Sequence, residues 1–455
     1  MAFDPADPKA ALTQLPRTAA VFALYGADAK DEPYIGRTPN LRGRLERLLQ
    51  PSAKHPRRLQ LAGRVRRIAW RLTGSEFESL LAQFSLLEEI YGAKALERMH
   101  LRMPAFVRFF GSNAYPRIAV TNRPGVRDAG WAYGPFPSRL AAERYSDELL
   151  KLFLLRRCVD ELNPDPGHPG CVYSEMKMCL APCFKGCTDE RYAEEAAAVE
   201  GFLATRGGSR LAVLETERDR ASESLDFEQA AALHAQVQKV EVVRGLASEL
   251  VRPLSQMRAV ILQASAQPGE VAVFLFENGR LRGPAVFSTL GMRIQNEQSG
   301  STSLFAQPMA VEAVPEVQGS GIRDQGSEEQ GLGTRDVGTE VQGPRDRGTE
   351  GTEVPGPGSR DLGAEAAPAP KLARGVLEGR FDEVMALLQA DRSGPSAAER
   401  QGHMALLKRW YYRPEARRVG EIFFPDAEGH WPVKAILRGI GRVAARSLGG
   451  VATSQ

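Results

Sequence analysis

The stretch that decides the reading is Ala20–Leu49, AVFALYGADAKDEPYIGRTPNLRGRLERLL. Val21–Tyr25 is a short run of strand formers, and Ala27–Pro33 is polar and rich in turn residues. Tyr34-Ile35-Gly36 reads as a second short strand. Asn40 then caps a helix whose Leu41, Leu45, Leu48 and Leu49 fall at helical spacing. This arrangement sets the Tyr34 hydroxyl beside Gly36, where the missing side chain lets another backbone, such as a nucleic-acid strand, approach. Arg42 and Arg44 follow on the helix, placed to face phosphates. Hydrolysis of a phosphodiester needs a group that activates water, a cation on the scissile phosphate and usually a carboxylate-held metal ion. The same pattern also fits an ordinary edge strand followed by a basic helix.

Charge supports a phosphate partner through its distribution, not its sum. The chain of 455 residues carries 59 basic and 56 acidic side chains, a nearly neutral balance. Between Arg37 and Arg71, however, arginines including Arg47, Arg57 and Arg58 accumulate around a single acid, Glu46. No apolar run reaches the roughly 18 residues of a membrane span, and Met1–Leu15 lacks a signal-peptide core. The expectation is a cytoplasmic protein with no membrane partner.

Outward from the opening unit, Ile68–Leu72 is a third strand and Ser75 caps a helix, with Glu78 completing a capping box. Residues 16–100 thus form a small α/β domain. Pro104–Val120 alternates like a β-hairpin, Trp131–Ser138 is an aromatic turn stiffened by glycine and proline, and Leu140–Phe153 is an amphipathic helix. All five cysteines fall between Cys158 and Cys187. Clustered in a cytoplasmic chain, Cys158, Cys171, Cys179, Cys183 and Cys187 suit a soft metal, either zinc or an iron–sulfur cluster, and their spacing does not choose between them. Residues 101–190 hold this hairpin and cysteine segment.

Residues 191–250 are helical. Ser209–Ala221 and Leu225–Leu246 form an antiparallel pair whose second member begins with Leu225, Phe227, Ala230 and Ala231. A helical hairpin this short is marginal unless it docks, so it reads as a partner-binding arm or a brace. Residues 255–292 give two or three strands with Asn278-Gly279 as a hairpin turn. Residues 295–370, rich in Gly, Pro, Glu and Gln, cannot bury enough apolar surface and read as a disordered linker. A small helical domain follows at 372–450, where Trp410, Tyr411 and Tyr412 among basic residues suit either nucleic acid or a packed core.

In order, these features resemble the UvrC excinuclease family of bacterial nucleotide-excision repair, over roughly Thr18 to Leu250. The opening unit is similar to a GIY-YIG nuclease domain. Tyr133-Gly134-Pro135-Phe136-Pro137-Ser138 resembles the family's YxGPYPS stretch, Cys179-Leu180-Ala181-Pro182-Cys183 its CLGPC, and Leu225–Val240 its UVR motif. The resemblance implies an α/β multidomain protein: a small mixed sheet with flanking helices, a metal-binding cysteine segment and a UVR helical hairpin. It implies a DNA endonuclease acting on damaged duplex with Mg2+ or Mn2+, recruited to a UvrB-like protein through Leu225, Phe227, Ala230 and Ala231. It also implies a [4Fe-4S] cluster on Cys158, Cys171, Cys179 and Cys183, with Zn2+ as the alternative.

The implied catalytic residues are Tyr34, Gly36, Arg37 and Arg44, with Arg42, Arg47, Arg57 and Arg58 on DNA. Arg37 stands where the family has lysine. Ala20 and Phe22 replace the glycine and tyrosine of the first half-motif, Leu48 replaces a polar aromatic, and Gln83 takes the position of the metal-binding glutamate. The family's second, ribonuclease H-like nuclease has no counterpart carboxylate triad here, so one incision only is expected. The alternative function is a catalytically impaired DNA-binding or adaptor protein.

Overall fold

The computed structural model describes residues 1–28, 31–50, 61–124, 131–292, 374–390 and 394–452. Arg57, Arg58 and the expected linker at 295–370 lie outside these residues.

The opening unit folds around β1 (Ala20–Tyr25), which lies between β2 (Tyr34–Thr38) and β3 (Arg67–Leu72). Both pairings are antiparallel, so the sheet is not the mixed one expected. The reason is that β1–β2 is a hairpin and β3 returns on the free edge of β1. Helices α1 (Pro8–Thr13) and α2 (Leu41–Leu49) join one core with the alternate residues Ala20, Phe22 and Leu24 of β1. Asn40 caps α2 as its sequence demands, its side chain accepting from the Gly43 N–H at 2.9 Å.

Helix α3 (Glu76–Tyr91), followed by the short α4 (Ala95–Arg98), packs on β1 and β2. Ser75 caps α3, but the expected capping box does not close. The buried Glu78 carboxylate accepts instead from the Gly74 N–H at 2.8 Å, one residue ahead of the cap.

The middle section is a sheet in the order β5-β4-β6-β7, from β4 (Ala105–Phe109), β5 (Ile118–Thr121), β6 (Ala132–Phe136) and β7 (Arg252–Pro253). The stretch read as an aromatic turn is thus β6, buried at every position. The Gly134-Pro135 peptide is cis, and a side chain at Gly134 would meet the Phe106 ring at 2.5 Å. Close strand packing, not a turn, uses this glycine.

Helices α5 (Arg139–Leu149), α6 (Val172–Glu175), α7 (Asp189–Ala204), α8 (Gly208–Glu223) and α9 (Phe227–Gly245) complete the section. The pair α8–α9 docks: Leu233, Val237, Val240 and Val243, at helical spacing on α9, enter the same core as β4, β6 and α5.

The last sheet runs β10-β9-β8-β11, from β8 (Arg258–Ala264), β9 (Glu270–Glu277), β10 (Arg280–Ser288) and β11 (Glu421–Phe423). Asn278 and Gly279, both at positive φ, turn β9 into β10 as expected. The segments 255–292 and 372–450, expected as separate units, share this sheet, because β11 pairs antiparallel with β8. One face carries Val260, Leu262 and Val273 against α10 (Arg374–Gln389) and α12 (Val433–Ala452). On the other, Ile261, Phe274 and Phe276 meet α3 and α11 (Ala397–Tyr411). Two covered faces explain why β8 and β9 are continuous apolar runs without alternation.

Trp410 is buried in this core and donates its Nε1–H to the Val419 carbonyl, and Tyr412 bonds the Pro135 carbonyl. Of the two readings of this aromatic cluster, packing is the one observed. No helix among the described residues is long and apolar enough to cross a membrane.

Candidate functional site

Strand register builds the first site. Phe22 sits opposite Gly36, and a Cβ at Gly36 would lie 2.8 Å from Phe22 Cζ. The space above the glycine is therefore taken by the Phe22 ring, which is 1% exposed, and is not left open for a nucleic-acid backbone. Gly36 is a packing requirement of the sheet. Beside it, Tyr34 lies with its ring centroid 6.2 Å from that of Phe22.

One turn into α2, Arg44 donates from Nη2 to the Tyr34 hydroxyl at 3.3 Å. Both side chains are half-buried, so the pair is held by the fold while one side faces solvent. A guanidinium and a phenol joined in this way can hold one phosphate oxygen and orient a water beside it. Tyr25 does not extend the pair. Arg67 lies over its ring at 3.8 Å, and alternation along β1 places it on the face opposite Phe22.

The other predicted residues divide. Arg37 pairs with Glu76 at 3.3 Å, and Arg413 grips the same carboxylate with two bonds of 2.7 and 2.8 Å. Hydrogen bonding from Arg413 holds the Glu76 carboxyl down at about 2 against the opposing effect of burial, with the charges of Arg413 and Arg37 adding to it. Arg42 does not face a phosphate. Its guanidinium donates to the carbonyls of Leu15 and Thr13, closing the end of α1. Arg47 is exposed and has no carboxylate partner among the described residues.

Gln83 is half-buried on α3, and no hydrogen bond among the described residues engages its amide. A hard divalent cation calls for carboxylate oxygens. Glu76 is held by two arginines, Glu78 by the Gly74 N–H, and Glu88 accepts from Ser396 at 3.3 Å. Glu89 lines a pocket with Phe22, Tyr25 and Arg71, and no hydrogen bond or ion pair among the described residues joins a carboxylate to Tyr34 or Arg44. The partnership of Glu76 with Arg413 had no sequence signal, since 337 residues separate the two.

The second site is built by loops. Cys158, Cys171, Cys179 and Cys183 are free thiols that line one small pocket with Arg156, Arg157 and Pro182, and Cys187 is not among them. Arg156, which is 3% exposed, places Nη1 3.5 Å from the Cys158 sulfur. Burial pushes the thiols of Cys179 and Cys183 up, and their cysteine neighbours push the same way. Such a sulfur-only set fits a soft metal group.

Among the described residues, the group of three or more metal-ligand side chains with donor atoms mutually within 4.8 Å is Asp426, Glu428 and His430, not the cysteines. A tetrahedral zinc site with bonds of about 2.3 Å needs sulfurs about 3.8 Å apart.

The third site is the tip of the α8–α9 hairpin. The helix starts later than expected, with Asp226 as its cap accepting from the Gln229 N–H at 3.0 Å. Leu225 precedes the cap at φ 62° and is 71% exposed, and Phe227 is 67% exposed. Ala231 is exposed as well, whereas Ala230 turns inward against the core.

Family models match the cysteine segment and the hairpin. Residues 106–202 match the family described as UvrC/Cho excinuclease, middle domain, and residues 208–242 match the UvrB/uvrC motif. The UvrABC system protein C of Alcanivorax borkumensis is 30% identical over 239 residues, covering 52% of this chain and 39% of that protein. That of Ruminiclostridium cellulolyticum is 28% identical over 300 residues, covering 65% and 48% respectively. The chain is therefore similar to a UvrC/Cho middle domain followed by a UVR motif in these segments, and to UvrABC system protein C over half its length or more. It spans between about two fifths and a half of the length of these relatives. No solved structure matches it.

Proposed function

We propose that this protein is a UvrC-like factor of nucleotide-excision repair that binds damaged DNA and incises one strand slowly. The observation that carries the reading is the Arg44–Tyr34 hydrogen bond, which joins the two groups the chemistry needs. Arg44 neutralises the phosphate, and exposed Arg47 adds a second contact to the backbone. The Tyr34 hydroxyl orients a water for attack, with Arg44 holding that hydroxyl in place. The rate is limited by Gln83, which offers one neutral oxygen where the family's pattern has a carboxylate.

The cysteine segment holds a [4Fe-4S] cluster on Cys158, Cys171, Cys179 and Cys183, which line one pocket, with Zn2+ as the alternative. Such a cluster would pin the loops between α5 and α7. The hairpin tip, through Leu225, Phe227 and Ala231, docks on a UvrB-like partner.

A second reading has its own observation. Phe22 fills the space over Gly36 and brings no hydroxyl, which favours an adaptor that binds DNA without cutting it. Nicking of damaged duplex in magnesium or manganese, with and without a UvrB-like partner, separates the two. Weak nicking that rises about tenfold or more in Gln83→Glu supports the incising protein. No nicking by either form, with binding intact, supports the adaptor.

A further inference from the structure

A cavity of about 250 Å³ lies where the end of α7 meets the end of α9, lined by Tyr133, Tyr145, Arg206, Glu241 and Arg244. A water occupies about 30 Å³ in the liquid, so the space admits a polyatomic ion with part of what it is attached to. Arg206 follows α7 in a left-handed turn, at φ 53°, and its Nε is buried with no hydrogen-bond partner. No carboxylate pairs with its guanidinium among the described residues.

The turn is built for the position. Arg244 donates from Nε to the Arg206 carbonyl at 3.0 Å, and a Cβ on Gly207 would meet Arg244 Cγ at 2.7 Å. Neither the Tyr133 nor the Tyr145 hydroxyl has a partner among the described residues, although both residues are only 3% exposed. Burial pushes both phenols up, Tyr133 to about 12, so both keep their protons at neutral pH. The one acid in the lining, Glu241, is engaged by Arg244 at 2.6 Å. Burial and then the charge of Arg206 lower Arg252 nearby, and the charge of Glu249 opposes them.

A guanidinium with a buried, unpartnered Nε and two buried phenols thus present donors with nothing to accept them. We infer that this cavity binds a phosphomonoester group through Arg206, Tyr133 and Tyr145. A tetrahedral oxyanion accepts from several directions at once, and charge-assisted bonds to arginine are the strong ones. The group can be the terminal phosphate of a DNA strand or that of a free mononucleotide. The inference goes beyond the incision site and shares no residue with it, so each can fail alone.

Isothermal titration of the full chain tests it, with inorganic phosphate, a deoxymononucleotide 5′-phosphate, and one oligonucleotide with 5′-phosphate or 5′-hydroxyl as probes. Saturable one-site binding of phosphate, weakened about tenfold or more in Arg206→Gln and several-fold in Tyr145→Phe, supports the site. Tyr145→Phe keeps the ring and carries the test should Arg206→Gln not fold. Preference for the phosphorylated oligonucleotide over its hydroxyl form assigns the source to a DNA end. Mononucleotide binding as tight as that of the phosphorylated oligonucleotide assigns it to a free nucleotide. Absence of saturable binding by every phosphate probe, or equal binding by wild type and both variants, overturns the inference.

Discussion

At the scale of single residues, position in the fold decides which charges are available. Arg42 and Arg44 are near neighbours on one helix, yet Arg42 closes α1 and Arg44 meets Tyr34. Composition alone gives both the same role; only the direction each side chain takes from α2 separates them. His403 shows the same dependence. It is 3% exposed on α11, packs against the Phe84 ring, lies 4.0 Å from Glu399, and accepts from the Leu281 N–H at 3.1 Å. Burial, aided by the charge of Arg280, lowers it from 6.5 to about 3. A depressed folded value means the unfolded chain binds the extra proton first. The contribution is therefore complete above about 6.5 and is lost as pH falls from there toward 3. Between pH 6.5 and 5 the loss is about 1.6 kcal/mol, the slope approaching about 1.36 kcal/mol per pH unit only below the unfolded value. Denaturant titrations at these two pH values should show that loss in wild type and a clearly smaller one in His403→Gln, which keeps an acceptor for Leu281.

At the scale of elements, the sequence was most legible where one pattern met one environment. The periodicity of α2, the cap at Asn40 and the Asn278-Gly279 turn all stand as their residues demand. Trp131–Ser138 was harder. Its Gly-Pro pair speaks for a turn in local terms, and only the Phe106 ring lying against Gly134 reveals a buried strand. On α9 one helix carries two apolar surfaces with different fates. Leu233 is 8% exposed and belongs to the core, whereas Phe227 is 67% exposed at the tip. A Leu225→Asp, Phe227→Asp double variant should lose at least about tenfold in affinity for a UvrB-like partner with an unchanged melting temperature. Leu233→Ala should do the reverse, costing about 2–3 kcal/mol in stability. The cysteine loops give a spectroscopic expectation. The purified protein should be brown and carry iron and sulfide, and Cys171→Ala with Cys179→Ala should abolish the visible absorption. A colourless protein containing zinc would contradict the cluster.

At the scale of the molecule, the described residues are bound together by contacts no local pattern announces. β11 adds to a sheet begun far earlier in the chain, pairing Glu421 with Leu262. α3 touches the opening sheet on one side and the last sheet on the other, through Phe77 against both Phe274 and Trp410. The same helix carries Gln83, and its carboxylates Glu76 and Glu88 are engaged by the segment beyond residue 394. Strand and helix types were readable from the residues; the long-range partnerships that engage Glu76 and Glu88 were not. What remains at that site is Arg44 on Tyr34. The most direct measurement is nicking of damaged duplex by wild type and Arg44→Ala, with DNA binding measured on the same samples. Incision should fall about 100-fold in the variant while binding changes little; equal nicking by the two proteins would contradict the account.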